Sequence, residues 1–355
     1  MRKSLSLTTL LGLALFTGLA AATPITDLLG QLSHSDYHAY VETLQNYGTR
    51  YTTTPENTAV TNYLADTLSG FGLAVRRDAF EYGGTRYNVE ATLPGLLTPN
   101  QVFIIGAHFD STSGSAATDA PGADDNASGT AAMLEIASVL SQYQFASTIR
   151  FIGFNGEEQG LIGSAAYAGA AYARGDQIVG MLNLDMIGYT AGSATEDLEV
   201  MGDQWLVDRF IQDAALYVPS LLTQAWYGDY YGSDHYHFSS YRNTGFYSLF
   251  AIEDTASEIW DGSNPYYHST GDTADRLDYG FAYQVTQATA ATLAGLAGIM
   301  GIPEPPVAAL LLAGLVLAGI GRHRGRQGRG AILRGPRSSF RPAPSRRPRE
   351  QSMNK

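Results

Sequence analysis

Acidic and histidine side chains follow directly after three short apolar runs of this chain. The runs span residues 102–105, 149–154 and 179–184, and the polar residues that follow them are His108, Asp110, Glu157, Glu158 and Asp185. A further acidic pair, Asp124-Asp125, precedes a helical pattern. So many converging carboxylates would cost free energy without a cation, and divalent metal ions are the natural neutralisers. The sequence contains no cysteine, so any metal must be held by histidine and carboxylate.

The three apolar runs predict strands that are buried on both faces, because they are short, nearly continuous and bounded by turn residues. Apolar residues at helical spacing predict helices at 56–70, 127–143, 206–218 and 281–300. This alternation favours an α/β fold with three layers, and no repeat or linker divides residues 23–300. Open α/β sheets carry their sites at the carboxyl ends of the strands, so we expect the acidic clusters to meet there.

The order and context of these motifs resemble the M28 family of zinc aminopeptidases, and the bacterial leucyl aminopeptidases in particular. The resemblance extends over about residues 40–300 and rests on five segments: His108-Phe-Asp110-Ser, Asp125-Asn-Ala-Ser-Gly129, Glu157-Glu158, Leu184-Asp185-Met and His268-Ser-Thr-x-Asp272-Thr. It implies a three-layer αβα zinc-peptidase fold around a central mixed, largely parallel sheet.

The resemblance also implies a centre with two zinc ions. His108 and Asp185 would bind one ion, Glu158 and His268 would bind the other, and Asp125 would bridge them. Imidazole and carboxylate groups suit zinc, and two ions roughly 3.5–4 Å apart can share an activated water. Donors of this type also accept cobalt or manganese.

Two further acidic residues receive roles from the same resemblance. Asp110 would hold the second ring nitrogen of His108. Glu157 would not bind metal but would act as the general base, taking a proton from the water and returning it to the leaving amine.

The segment Gly232-Ser233-Asp234-His235 resembles one near the substrate pocket of the family. By this alignment Tyr230 would hydrogen-bond the tetrahedral oxyanion, and Asp234 would lie near the substrate. Close members of the family carry a disulfide around this loop. This chain has no cysteine, so we expect its aromatic residues to pack the loop instead.

The charge of the chain argues against a nucleic-acid partner. Residues 23–321 contain nine arginines and no lysine against 33 acidic residues. A surface this acidic repels nucleic acid and suits amino-bearing substrates such as peptides.

Both ends of the chain have the composition of export signals. Residues 1–22 combine a basic start, an apolar run and three alanines, which predicts a signal peptide. Residues 301–324, with Pro303-Glu304-Pro305, an apolar helix at 307–320 and a cluster of arginines, resemble the PEP-CTERM sorting signal of Gram-negative bacteria. That resemblance implies export to the cell surface or exterior, transient membrane contact and exosortase-type cleavage. The departure is a basic tail at 325–355, predicted to be disordered. A simple C-terminal membrane anchor is the alternative.

Three other functions remain open at this stage. A carboxypeptidase or dipeptidase on the same scaffold would need arginines facing the substrate carboxylate, and no arginine cluster stands beside the motifs except Arg76-Arg77, far upstream. A non-catalytic surface or matrix protein would fit the sorting signal but not the complete set of site residues. A glutaminyl-cyclase-like transferase would use one zinc and would not need all five ligands. The sequence therefore favours an exported aminopeptidase, which we expect to prefer peptides with apolar first residues.

Overall fold

The three predicted strands form the centre of an eight-stranded mixed sheet. The computed structural model describes residues 24–191, 197–253 and 264–302. Its strands are β1 (Ala74–Glu81), β2 (Thr85–Leu93), β3 (Thr98–His108), β4 (Gln144–Phe145), β5 (Ser147–Phe154), β6 (Gln177–Leu184), β7 (Asp197–Gly202), β8 (Leu222–Tyr227), β9 (Ser248–Glu253) and β10 (Ile299–Gly301). The order in the large sheet is β1-β2-β5-β3-β6-β9-β7-β8. Strands β5, β3, β6 and β9 pair in parallel, so their carboxyl ends lie at one edge.

Helices cover both faces of this sheet. They are α1 (Pro24–Leu29), α2 (His34–Gln45), α3 (Pro55–Gly70), α4 (Gly129–Leu140), α5 (Ile162–Arg174), α6 (Gln204–Tyr217), α7 (Tyr236–Ser239) and α8 (Tyr279–Ala297). The core on one face includes residues of α1 to α4, α6 and α8, whereas Tyr167 of α5 and Phe238 of α7 pack in the core on the other. The prediction of a three-layer α/β fold is therefore confirmed.

Helix α4 is the crossover between β3 and β5 and is buried almost along its whole length. Its sequence is largely apolar, as expected of a helix enclosed between a sheet and other helices, and Glu135 is its one charged residue. It begins at Gly129, two residues later than predicted, because Ala123–Ser128 forms a separate π-helical turn. That turn carries Asp125 and lies at the carboxyl edge of the sheet.

The last helix was predicted too long. It ends at Ala297 rather than at residue 300, because Gly298 adopts a left-handed backbone with φ of +71°. The next three residues form β10, which pairs with β4 in a small second sheet. Residues 71–95, for which no strand was predicted, contain the β1–β2 hairpin at the edge of the sheet.

The described residues all belong to one compact unit, Met1–Pro303. Among them, no helix combines the length and the hydropathy that crossing a bilayer requires. The predicted leader at 1–22, the sorting segment from 303 onwards and the basic tail lie outside the described residues, so those predictions stay as they were made.

Candidate metal centre

Three predicted ligands meet at the carboxyl ends of β3 and β6. His108 is the last residue of β3, and Asp185 follows β6 directly. The His108 Nε2 atom lies 3.1 Å from Asp185 Oδ1 and 3.2 Å from Asp125 Oδ1, and all three residues are buried. One imidazole nitrogen and two carboxylate oxygens converge here with the spacing of a metal site.

A second group of ligands shares Asp125 with the first. His268 Nε2 lies 3.2 Å from Asp125 Oδ2 and 2.9 Å from Glu158 Oε2. The two oxygens of the Asp125 carboxylate therefore face the two histidines, one each. A carboxylate divided in this way can bridge two cations.

The electrostatics of the two groups fit divalent cations. Burial raises the pKa of Glu158 to about 8, and the Asp125 carboxylate beside it adds to the increase. Burial alone would lower the pKa of His268, but its hydrogen bonds to Asp125 and Glu158 raise it to about 10. In addition, Glu158 Oε1 is buried without a hydrogen-bond partner among the described residues. These carboxylates thus stabilise positive charge where a metal ion would supply it.

The turn that carries Asp125 is fixed by the loop that carries His268. Asp272 accepts hydrogen bonds from the backbone N–H of Asp124 at 2.8 Å and from that of Asp125 at 3.0 Å. At the start of the turn Gly122 has φ of +52°, and a Cβ there would lie 2.4 Å from Asp125 O. Only glycine fits this position. Asp124 belongs to neither ligand group, and its Oδ1 accepts from the backbone N–H of Gly188 at 2.8 Å.

Asp110 joins the two strand ends that supply ligands. Its Oδ1 accepts from the backbone N–H of Glu157, and its Oδ2 accepts from that of Glu158 and from Thr52 Oγ1, at 3.1–3.2 Å. The Nδ1 atom of His108 lies 3.6 Å from Asp110 Oδ1 and 3.2 Å from its backbone oxygen. The Asp110 carboxylate thus orients the glutamate pair, whereas the ring nitrogen of His108 that it was predicted to hold lies within hydrogen-bond distance of the Asp110 backbone oxygen instead.

Ser233, from the segment 232–235, fixes the Asp185 carboxylate. Ser233 Oγ donates to Asp185 Oδ2 at 2.6 Å, and Asn183 Nδ2 donates to Ser233 Oγ at 2.7 Å. The other carboxylate oxygen of Asp185, Oδ1, therefore faces His108. Hydrogen bonds of this kind orient metal ligands and maintain their charge.

A fully buried arginine lies beneath the centre. Arg50 donates to the backbone oxygens of Phe109, Pro121 and Gly122 at 2.5–2.8 Å, and to Leu44 O at 3.2 Å. Burial lowers the pKa of Arg50 to about 10, which still leaves it charged near neutral pH, with nearby carboxylates opposing the decrease. Arg50 thereby connects α2 to the segments after β3 and before the Asp125 turn.

Glu157 lies outside both ligand groups. It is only partly buried, and burial together with the surrounding carboxylates raises its pKa well above the usual range, against the opposing charge of His108. A carboxyl group beside the ligands but separate from them, with an elevated pKa, has the properties of a general base.

The two predicted substrate residues differ in their surroundings. Tyr230 is partly buried and packs against the apolar cluster of Met186, Met201 and Phe250. One member of this cluster, Met186, directly follows the ligand Asp185 in sequence. Asp234 is fully buried and lies beside the side chain of Ser164. Burial raises the pKa of Asp234 to about 7, with His108 opposing the increase. Asp234 is thus part of the buried polar layer rather than of an exposed pocket surface.

Backbone strain is concentrated next to the ligands. Met186, directly after Asp185, has φ of +54°, and His268 has φ of +51°. Residues other than glycine adopt this conformation only at a cost, and such positions are enriched at functional sites. The His268 ring is further supported by Tyr267, whose ring stacks on it at 3.7 Å between centroids.

Sequence reasoning assigned no role to Asp272, Ser233 or Arg50, although each supports the centre. Asp272 and Ser233 lie inside motifs on which the resemblance rests. For Asp272, its fixed distance in sequence from the ligand His268 could have indicated a supporting role. The segment Arg50-Tyr51-Thr52-Thr53 fits the N-terminal region of the family, but it predicts no role for the Arg50 side chain, because most of the backbone oxygens that it contacts are distant in sequence.

Comparison with known proteins agrees with the geometry. A model described as Peptidase family M28 matches residues 88–293, which include all five predicted ligands. Leucine aminopeptidase 1 of Coccidioides posadasii (strain C735) is 32% identical over 286 residues, which cover 74% of this chain and 71% of that protein.

Solved structures give the same result for the fold. LapB from Legionella pneumophila superposes with a TM-score of 0.68 at 22% identity, over 77% of this chain and 74% of that one. BSAP, a zinc aminopeptidase from Bacillus subtilis, gives a TM-score of 0.64 at 16% identity, over 75% of this chain and 96% of its own. At such identities the likeness shows a shared fold.

Proposed function

Because the chain belongs to peptidase family M28, we propose that it is a metallo-aminopeptidase that releases the N-terminal residue of peptides. The observation that carries the proposal is the position of Asp125, whose two carboxylate oxygens face His108 and His268 separately. This arrangement provides two adjacent cation sites, one with Asp185 and one with Glu158. We propose zinc as the metal and two ions as the complement, with the five ligands as predicted.

The residues around the centre would divide the chemistry between them. Bound zinc would polarise the scissile carbonyl and lower the pKa of a water molecule. Glu157 would take a proton from the attacking water and deliver it to the leaving amine. Asp110 would keep Glu157 in place by accepting a hydrogen bond from the backbone N–H of Glu157, and it would orient His108. The position of Glu157 outside both ligand groups supports this role, because a base must be free to take up a proton and return it.

An apolar first residue would fit the cluster of Met186, Met201 and Phe250, which begins directly after the ligand Asp185. Tyr230 packs on this cluster and supports a role beside the substrate, where its hydroxyl would donate to the oxyanion. Asp234, which is fully buried, would act through its charge on His108 and Asp185 rather than on the substrate. These assignments form part of the proposal.

The alternative of a carboxypeptidase finds no support at the centre itself. The arginine beneath the ligands, Arg50, is fully buried, and its hydrogen bonds go to backbone oxygens. It is not available to a substrate carboxylate. Recognition of a free amine is the better match to the many carboxylates of this site.

Export remains part of the proposal on sequence grounds. The composition of residues 1–22 and the likeness of residues 301–324 to a PEP-CTERM signal support secretion with transient membrane contact and exosortase-type cleavage. Detection of the protein in the medium or at the surface of an expressing Gram-negative host, with sequencing of both termini, tests this.

Activity is tested by release of leucine from leucine amide, with and without a chelator. We expect chelation to abolish turnover and added zinc to restore it. Glu157→Gln should lower kcat by roughly 10² to 10⁴ with bound zinc unchanged, whereas Glu42→Gln, an exposed glutamate on α2, should behave as the wild type. Chelator-resistant turnover would contradict the metal mechanism, and loss of zinc from Glu157→Gln would contradict its role as a base.

A further inference from the structure

Two arginines stand apart from the other basic residues of the protein. Residues 23–321 contain nine arginines, and all nine are described. Six of them lie within 4 Å of a carboxylate: Arg76, Arg150, Arg174, Arg209, Arg242 and Arg276. Arg50 is buried among backbone oxygens. Arg77 and Arg86 have no carboxylate partner among the described residues, despite the large excess of acidic groups.

Both of these arginines line the same pocket. It lies between α3 and the β1–β2 hairpin and has a volume of about 150 Å³. Arg77 Nη2 donates to Asn62 Oδ1 at 2.7 Å, and Arg86 donates to the backbone oxygens of Tyr82 and Gly83 at 3.2 Å. These are neutral acceptors, so neither positive charge is neutralised. The volume corresponds to roughly five water molecules, enough for one small anion.

The rest of the pocket lining is neutral. Hydroxyl groups of Thr58, Thr61 and Thr85 and the side chain of Asn62 surround the arginines, and no acidic residue lines the pocket. The nearest acid that contacts a lining residue is Glu81, which accepts from Thr85 at 2.8 Å. A lining of two cations and several hydroxyl groups matches the needs of an oxyanion.

The buried part of the pocket is rigid and lies close to the catalytic residues in sequence. Asn57 and Asn155, each 1% exposed, exchange two hydrogen bonds at 3.0 Å through their amides. Asn57 also donates to Arg50 O, and Asn155 stands two residues before Glu157. Paired amide hydrogen bonds thus hold this part of the pocket, and none of the residues that line the pocket is a ligand of the metal centre.

We propose that this pocket binds a small oxyanion group, either a free anion or the carboxylate of a peptide. Arg77 and Arg86 hold its negative charge, and the Thr58 hydroxyl, whose proton is not given to another lining residue as that of Thr61 is to Asn57 O, donates to one of its remaining oxygens. Planar guanidinium groups form paired hydrogen bonds with carboxylate, sulfate and phosphate, which distinguishes this site from a diffuse basic surface.

Calorimetric titration of the zinc-loaded protein with sodium sulfate at constant ionic strength tests the proposal. We expect saturable binding, weakened at least about tenfold in the double variant Arg77→Gln/Arg86→Gln, because each charged hydrogen bond contributes that much or more. Arg174→Gln is the matched control, since Asp176 keeps its contact with Arg150, and it should bind as the wild type does. Both arginines of the pocket are at least partly exposed, so the double variant should keep the wild-type urea midpoint.

The source of the anion is distinguished by competition. An N-acetylated tripeptide with a free carboxylate should displace sulfate if the pocket reads peptide ends, while its C-terminal amide should not. If neither peptide competes, the ligand is a free oxyanion. Sulfate binding of equal affinity in the wild type and the double variant, as expected if the ion binds only at the zinc, would overturn the proposal, as would no saturable binding. Neither measurement requires aminopeptidase activity, so a failure here is separate from a failure of the proposed function.

Discussion

The carboxylate of Asp272 accepts the backbone N–H of Asp125 at 3.0 Å. This contact joins the loop of one histidine ligand to the turn that presents the bridging carboxylate. The position of Asp125 therefore depends on a residue four positions after His268 rather than on its own local sequence.

Asp272→Asn should weaken zinc binding roughly tenfold to a hundredfold, the range for loss of a group that orients ligands. The amide keeps one acceptor oxygen, whereas the aspartate uses Oδ1 for Asp124 and Oδ2 for Asp125. Competition with a chromogenic chelator measures this. Asp275→Asn, an exposed change three residues on, serves as the control. Equal zinc affinity in the two variants would show that the Asp272 contacts do not position the ligand.

Arg50→Met should lower the free energy of unfolding by at least about 3 kcal/mol, because several buried backbone oxygens would lose their donor. Arg50→Lys should lose less, since a lysine can satisfy some of these oxygens but cannot reproduce the planar arrangement. Urea unfolding of the zinc-loaded proteins compares them. Arg174→Met, which removes a half-exposed ion pair, should change stability by no more than about 1 kcal/mol. A similar small effect for Arg50→Met would contradict the account.

Glu135 should make stability depend on pH. It is buried on α4, its Oε1 accepts from the backbone N–H of Ser33 at 2.6 Å, and its Oε2 has no hydrogen-bond partner among the described residues. Burial raises its pKa to about 7 from an ordinary value of 4.5. The folded state therefore holds this proton more tightly than the unfolded state, and Glu135 stabilises the fold less as pH rises from about 4.5 to about 7.

Glu135→Gln is neutral at every pH and keeps an acceptor for Ser33. We expect the variant to gain about 1–2 kcal/mol relative to the wild type between pH 5 and pH 8, after allowance for solvent screening. Thermal or urea unfolding at the two pH values measures the difference. Parallel stability profiles of the two proteins across this range would contradict it.

The central part of the fold could be predicted because each of its strands is a nearly uninterrupted run of apolar residues. The runs at 102–105, 149–154 and 179–184 all form neighbouring strands, and the helices between them occur near the expected positions. The β1–β2 hairpin was missed since β1 is an edge strand with Arg76, Arg77 and Asp78 in sequence, and its only sheet partner is β2. A strand exposed to solvent on one edge lacks the apolar run on which the prediction depended.

The ligand set was proposed from motif order, and the sheet explains why it could be. Each ligand on β3 and β6 stands at a strand end, where parallel pairing brings distant segments together. What could not be predicted depends on three-dimensional contacts between backbone and side chain. Three supporting residues make their principal contacts with groups that are 48 to 148 residues away in sequence: Asp272, Ser233 and Arg50. No local sequence pattern indicates such contacts.

Zinc content per chain, measured after dialysis in the wild type and in two neighbouring variants, tests the central claim most directly. We expect about two zinc ions in the wild type, one for each histidine-containing ligand group that shares Asp125. Asp124→Asn should retain about two ions and most of the activity, because among the described residues this carboxylate accepts from the backbone N–H of Gly188, and a neutral amide can do the same. Asp125→Asn should retain at most about one ion and lose turnover. Two firmly bound ions and normal turnover in Asp125→Asn would contradict the account.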